Sequence, residues 1–125
     1  MAKGTFRQIV AKLNVSMSDV RSAFGRTAAE IARQYLNEVL DRLPANARAA
    51  ITKIGDLWRA VVGPVYKAVA YVVRDKLAQN TLAIQGGKFN VTKEEVDRVI
   101  DKNTLNARVN RVLSEVYKVP ATVTI

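Results

Sequence analysis

Residues 16–43, SMSDVRSAFGRTAAEIARQYLNEVLDRL, decide the fold class. Val20, Phe24, Ala28, Ile31, Tyr35, Val39 and Leu43 recur at helical intervals and fall on one side of a helix. Ser16 and Asp19 supply a start of the capping-box type, Val15 and Val20 are spaced as a hydrophobic staple, and Pro44 supplies the stop. The opposite side carries Arg26, Glu30, Arg33, Asn37 and Asp41. Its mixed signs suit a solvated, ion-paired surface, with Arg26 and Arg33 as its candidates for a phosphate contact.

Working outward, a second long helix is expected from about residue 46 to 77, with Ile51, Ile54, Trp58, Val61, Val62, Val65, Val69 and Val72 as the buried stripe. Its other face interleaves Lys53, Arg59, Lys67 and Arg74 with Ala49, Ala60, Gly63 and Ala70. Small residues among cations permit close approach. A phosphate chain could lie against them while the cations fold around it, or another helix could pack there with Lys and Arg reaching outward. Gly63-Pro64 lies inside this pattern, where Pro removes a backbone donor and clashes with the preceding turn, so a kink or a break into two helices is expected.

From residue 78 to 91 the helical pattern fades, and Gly86-Gly87 reads as a turn with positive backbone angles, with a short strand or hairpin around it. The glycine pair lacks the spacing of a phosphate loop. Thr92 and Glu95 form a capping box with Val91 and Val96 as staple, opening a helix to about residue 118. A break is expected near Asn103-Thr104, where Thr104 could cap anew. Residues 119–125, VPATVTI, are uncharged and β-prone, an extended tail that should dock on a neighbour or fray. At the other end Lys3, Arg7 and Lys12 accompany Phe6, Ile9, Val10 and Leu13 at helical spacing with no acid among them. Residues 1–14 thus read as a basic amphipathic arm or as a first core helix. The expected fold is all-α: a long-helix bundle, residues 15–118, with a basic N-terminal helical arm and an extended C-terminal tail, in one domain of 125 residues.

Charge points to the partner. Twenty Lys and Arg against eleven Asp and Glu leave a formal charge of +9, which favours a polyanion, nucleic acid before an anionic membrane. The surplus lies in the first three quarters of the chain, leaving the last helices for protein–protein packing. The apolar run from Leu57 to Val73 is interrupted by Arg59, Lys67 and Gly63-Pro64, so a membrane span is not expected. With no His and no Cys, imidazole bases, thiol nucleophiles, disulfides and zinc sites built on these ligands are excluded. Glu94, Glu95, Asp97 and Asp101 form the sole acidic concentration, which the start of a helix explains without catalysis. No catalytic site, metal site or cofactor is expected.

Met1-Ala2-Lys3-Gly4, the basic arm, the long Ala-, Val- and Arg-rich helices, the lack of Cys and the apolar C-terminal end resemble the major coat proteins of filamentous and rod-shaped double-stranded DNA viruses of hyperthermophilic archaea. The likeness is one of architecture and size across the whole chain. It implies a helical capsid protein whose arm and long helices wrap the genome, paired as a dimer with itself or a paralogous coat protein. It further implies a helical polymer holding A-like DNA, in a virion assembled in the host cytoplasm, with membrane present only as an envelope. By this resemblance Lys3, Arg7 and Lys12 correspond to the basic arm, and Lys53, Arg59, Lys67 and Arg74 to the DNA-facing wall. Rod-shaped members begin with longer, Pro- and Ser-rich segments, so the chain is closer to the filamentous branch. A cellular nucleoid protein shares every charge argument, and a helical module binding a protein or an anionic membrane is the reading from another class.

Overall fold

A computed structural model describes Leu13 and residues 15–125. The basic arm with Lys3, Arg7 and Lys12 lies outside the described residues. The described residues are mostly helical, 66% helix with one two-stranded sheet. In order it forms α1 (Met17–Asp41), α2 (Ala45–Ala49), α3 (Gly55–Ala78), β1 (Ile84–Gln85), β2 (Lys88–Phe89), α4 (Lys93–Asp97) and α5 (Lys102–Glu115).

The α1 helix starts where Ser16 Oγ accepts the Asp19 backbone N–H at 3.1 Å, satisfying one of the donors a helix N-terminus leaves free. Val20, Ala28, Ile31, Tyr35, Val39 and Leu43 are buried. Phe24 is half-buried and meets the Tyr66 ring edge-on at 6.0 Å. This face packs against α3, which lies between α1 and α5. Leu57, Val61, Val65, Ala68, Val69 and Val72 of α3 are buried there, each apolar side chain of Val or Leu size contributing roughly 1.5–3 kcal/mol.

The second helix differs from expectation in where it is interrupted. Instead of one helix over 46–77, α2 ends at Ala49, and residues 50–54 are not helical before α3 begins. Ile51, Thr52 and Ile54 are β-branched and stiff at χ1, which lowers helix propensity here. The start of α3 is fixed from far along the chain. Tyr117 Oη donates to the Lys53 carbonyl at 2.6 Å and accepts the Leu57 N–H at 3.1 Å, so a distant phenol caps this helix. Ile54, expected in the buried stripe, is 43% exposed as a consequence. At Gly63-Pro64 there is no break, because α3 runs through Pro64. The roughly 3 kcal/mol cost of an internal proline is offset by burial against the helices on either side.

After α3, Asn80 adopts φ 56°, and the N–H groups of Asn80 and Thr81 return to the carbonyls of Leu77 and Lys76 as in a Schellman turn. Gly86 and Gly87 have φ of 60° and 76°, joining β1 to β2 with Ile84 opposite Phe89. Thr27, buried in mid-α1, accepts the Phe89 N–H at 2.8 Å, and Phe89 buries its ring beside it. The hairpin is thereby fastened to α1.

The expected helix over 92–118 is two helices. The capping box is present: Thr92 Oγ1 accepts the Glu95 N–H, and Glu95 Oε1 accepts the Thr92 N–H at 3.0 Å. The chain leaves the helix after Asp97 and re-enters at Lys102, where Asp101, not Thr104, is the cap. Asp101 Oδ1 accepts the Thr104 N–H at 3.0 Å, so Thr104 is the donor. Ile100 is buried and Val99 is exposed at this break.

Beyond α5, Lys118 turns the chain at φ 55°, and residues 118–125 have no regular secondary structure. They run back along α5 of their own chain. Val119 and Val123 are buried, Asn110 pairs with both the N–H (2.7 Å) and the carbonyl (2.8 Å) of Val123, and Asn106 accepts the Ile125 N–H. One side-chain amide thus takes the place of a neighbouring strand. Asn110→Ala is expected to cost about 1–2 kcal/mol and to abolish hydrogen-exchange protection of the Val123 amide. Unchanged protection would show that the two valines alone hold the segment.

Candidate nucleic-acid interface

Where the acids go determines which cations are available. Glu30 pairs with Lys88, Asp56 with Arg59, Glu95 with Lys76, and Glu115 with Arg111. Glu38 meets Arg42 and Lys93, and Asp97 meets Lys93 and Lys102. Asp101 is engaged by Thr104. Among the described residues, Arg26, Arg33, Lys53, Lys67, Arg74 and Arg108 have no carboxylate within 4.0 Å. Asp19, Asp41, Asp75 and Glu94 have no ion pair among the described residues, and the pairs of Glu30, Glu95 and Asp97 join different elements.

The structure places the expected contact residues in two groups. Arg26 and Arg33, exposed and two turns apart on α1, line an open groove of about 510 Å³ with Gly86 and Lys88 of the hairpin. Arg26 lies over Gly87, where a Cβ would stand 2.5 Å from its guanidinium nitrogen. Arg59, Lys67 and Arg74 form one stripe on α3, spaced by eight and seven residues, with Arg59 and Lys67 exposed and Arg74 half-buried. Lys53 lies off the stripe, exposed in the non-helical link before α3, and Arg59 is bound to Asp56, so these two are the weaker candidates.

The small residues of this face divide. Ala60 is buried against the neighbouring helix, which is the helix-packing reading of the pattern, Ala70 is half-buried, and Ala49 and Gly63 are exposed, Gly63 beneath Arg108. Arg108 was absent from the sequence expectation, since acids and bases nearly balance in its part of the chain. The one signal for it was a glycine inside a helix, which marks a close approach without naming what approaches.

A charged network of structural character closes the other side. Tyr35, wholly buried, donates to Asp97 Oδ1 at 2.9 Å, and Lys93 Nζ lies 4.4 Å from the centre of its ring. Burial pushes the Tyr35 hydroxyl's pKa up and the hydrogen bond to Asp97 adds to the rise. Burial opposes ionisation of Asp97 and of Glu95. Hydrogen bonds from Lys102 and Tyr35 outweigh it at Asp97, as do those from Lys76 and Thr92 at Glu95, so both carboxyls lie below their ordinary values. Glu30 is lowered by its hydrogen bond with Lys88, and Asp101 by those from Thr104.

Carboxyls lowered in the folded state contribute stability that is complete above their unfolded pKa and is lost as pH falls through the folded one. The melting temperature is therefore expected to be level between about pH 5 and 7 and to fall below about pH 4. A thermal melt series in constant ionic strength checks this; a melting temperature that rises on acidification would contradict these pairings.

Among the described residues no cluster of acidic side chains could hold a metal ion, and no helix is long and apolar enough to cross a membrane. No protein-family model, curated protein or solved structure matches this chain.

Proposed function

We propose that this chain is a structural nucleocapsid protein that binds and wraps double-stranded DNA without sequence preference and polymerises into a helical filamentous virion. The observation that carries the reading is the surplus of positive charge, with Arg26, Arg33, Lys53, Lys67, Arg74 and Arg108 among the cations that have no carboxylate within 4.0 Å among the described residues. Such cations replace condensed counterions on a duplex and give affinity that is independent of sequence and steeply dependent on salt. In this reading the two long helices form the coat bundle, the basic arm with Lys3, Arg7 and Lys12 embraces the duplex, and the apolar tail braces the subunit.

Assembly is by dimers of this chain, with itself or a paralogous coat protein, stacked along A-like DNA. Exposed Ile54, Val99 and Val116 supply apolar area for contacts between subunits. The fully assembled site is the virion, built in the host cytoplasm.

The test is a titration of random-sequence duplex DNA across a salt series. Tight binding at low salt, equal for unrelated sequences and falling linearly in log–log form, is expected. Absence of binding at low salt would remove DNA as the partner and turn attention to an anionic membrane or an acidic protein.

A further inference from the structure

We propose that the seam between α3 and α5 carries a seat for one backbone phosphodiester of the duplex, formed by the Arg108 guanidinium laid across Gly63 and joined by Lys67. The inference rests on the duplex-binding reading above and names the atoms that would do it. Arg108 projects from α5 across α3, where a Cβ on residue 63 would stand 2.8 Å from its Nη1. A side chain at residue 63 would make the guanidinium, the far end of a flexible and exposed side chain, move aside. Gly63 lies within the 24 residues of α3, and its lack of a side chain lets the guanidinium lie close to the helix surface.

No acid holds the guanidinium. Asp101, Asp56 and Glu115 all line the seam, but Asp101 accepts both the N–H and the hydroxyl of Thr104, while Asp56 and Glu115 pair with Arg59 and Arg111. The planar fork of Arg108 is left with its donors for a ligand, and it suits a phosphate's paired oxygens. Lys67, one turn beyond Gly63 on the same groove, adds a second cation, near enough to Asp101 to favour its ionised form but with no carboxylate within 4.0 Å among the described residues.

The shape of the seam selects a chain of phosphates over a single small anion. Arg108 stands where two open grooves meet, one of about 370 Å³ towards Lys67 and one of about 420 Å³ towards Arg59 and Arg111. A polyanion can enter at one end and leave at the other.

Two variants test it, Arg108→Gln and Gly63→Ala, the second of which alters no charge. Each is measured by salt-series binding to a short random-sequence duplex, with circular dichroism to establish folding. Arg108→Gln is expected to lower the log–log salt slope by about 0.9, the share of one phosphate contact. Gly63→Ala displaces the guanidinium and is expected to move the slope towards that of Arg108→Gln, and the double variant to lose no more than Arg108→Gln alone. Wild-type binding that persists unchanged in either single variant overturns the seat while leaving the DNA reading intact. Failure of the wild-type protein to bind the duplex removes both. A loss seen on phosphatidylserine vesicles but not on DNA also overturns the seat, in favour of a lipid headgroup.

Discussion

The double variant Lys67→Glu, Arg74→Glu is expected to weaken duplex binding by more than tenfold at low salt and to reduce the log–log salt slope by about 1.8, two contacts' worth. Both residues lie on one stripe of α3 and have no carboxylate within 4.0 Å among the described residues, so reversal breaks no ion pair of the fold. It places two negative charges where phosphates are to approach. Lys67 is exposed and should tolerate the change; Arg74 is half-buried, so a melt of the variant must accompany the binding curve. Binding unchanged in a folded variant would take the α3 stripe out of the interface and leave the Arg26 and Arg33 groove as the remaining candidate.

Tyr35→Ala is expected to have the largest effect on stability, about 3–5 kcal/mol, against a total of roughly 5–15 for a domain of this size. The residue is completely buried, and its ring underlies Lys93 while its hydroxyl holds Asp97. Removing it opens a cavity and leaves a part-buried carboxylate short of a donor. Tyr35→Phe separates the two contributions: it keeps the packing and should cost about 1.5–3 kcal/mol, the usual worth of a hydrogen bond to a charged group. Urea unfolding of the three proteins gives both numbers. Equal losses for Ala and Phe would mean that the hydrogen bond, not the ring, is what α1 and α4 need from this residue.

The parts of the fold legible in the sequence are those in which neighbours along the chain settle the structure. The stripe from Val20 to Leu43, the Thr92–Glu95 box and the Gly86-Gly87 turn each rest on contacts within a few residues, and each is present. The misread places depend on distant partners. Ile51 and Ile54 keep the apolar spacing of a helix, so periodicity carried the second helix across residues 50–54. The actual start of α3 is set by Tyr117, sixty residues from Leu57. At Pro64, where local chemistry predicts a kink or a break into two helices, the break does not occur, since α3 continues through a buried Pro64. At Asn103-Thr104 the helix start was sensed two or three residues late, because Asp101 and Thr104 exchange the same kind of bond in a cap whichever is the acceptor.

The candidate interface is legible in the sequence as charge and less so as geometry. Sequence located Arg26, Arg33, Lys53, Arg59, Lys67 and Arg74, and the structure separates them into an α1–hairpin groove and an α3 stripe. Pairing of Arg59 with Asp56 and the arrival of Arg108 from α5 required knowledge of which helices meet. Spacing along one helix carries no such information.

The most direct measurement of the central claim is electron microscopy of the protein mixed at saturation with long linear double-stranded DNA. Regular filaments of uniform width, with length proportional to the DNA and a fixed mass per DNA length, are the predicted result. Coated DNA lacking helical order would contradict the coat-protein account and favour a nucleoid protein, and bare DNA would contradict DNA binding itself.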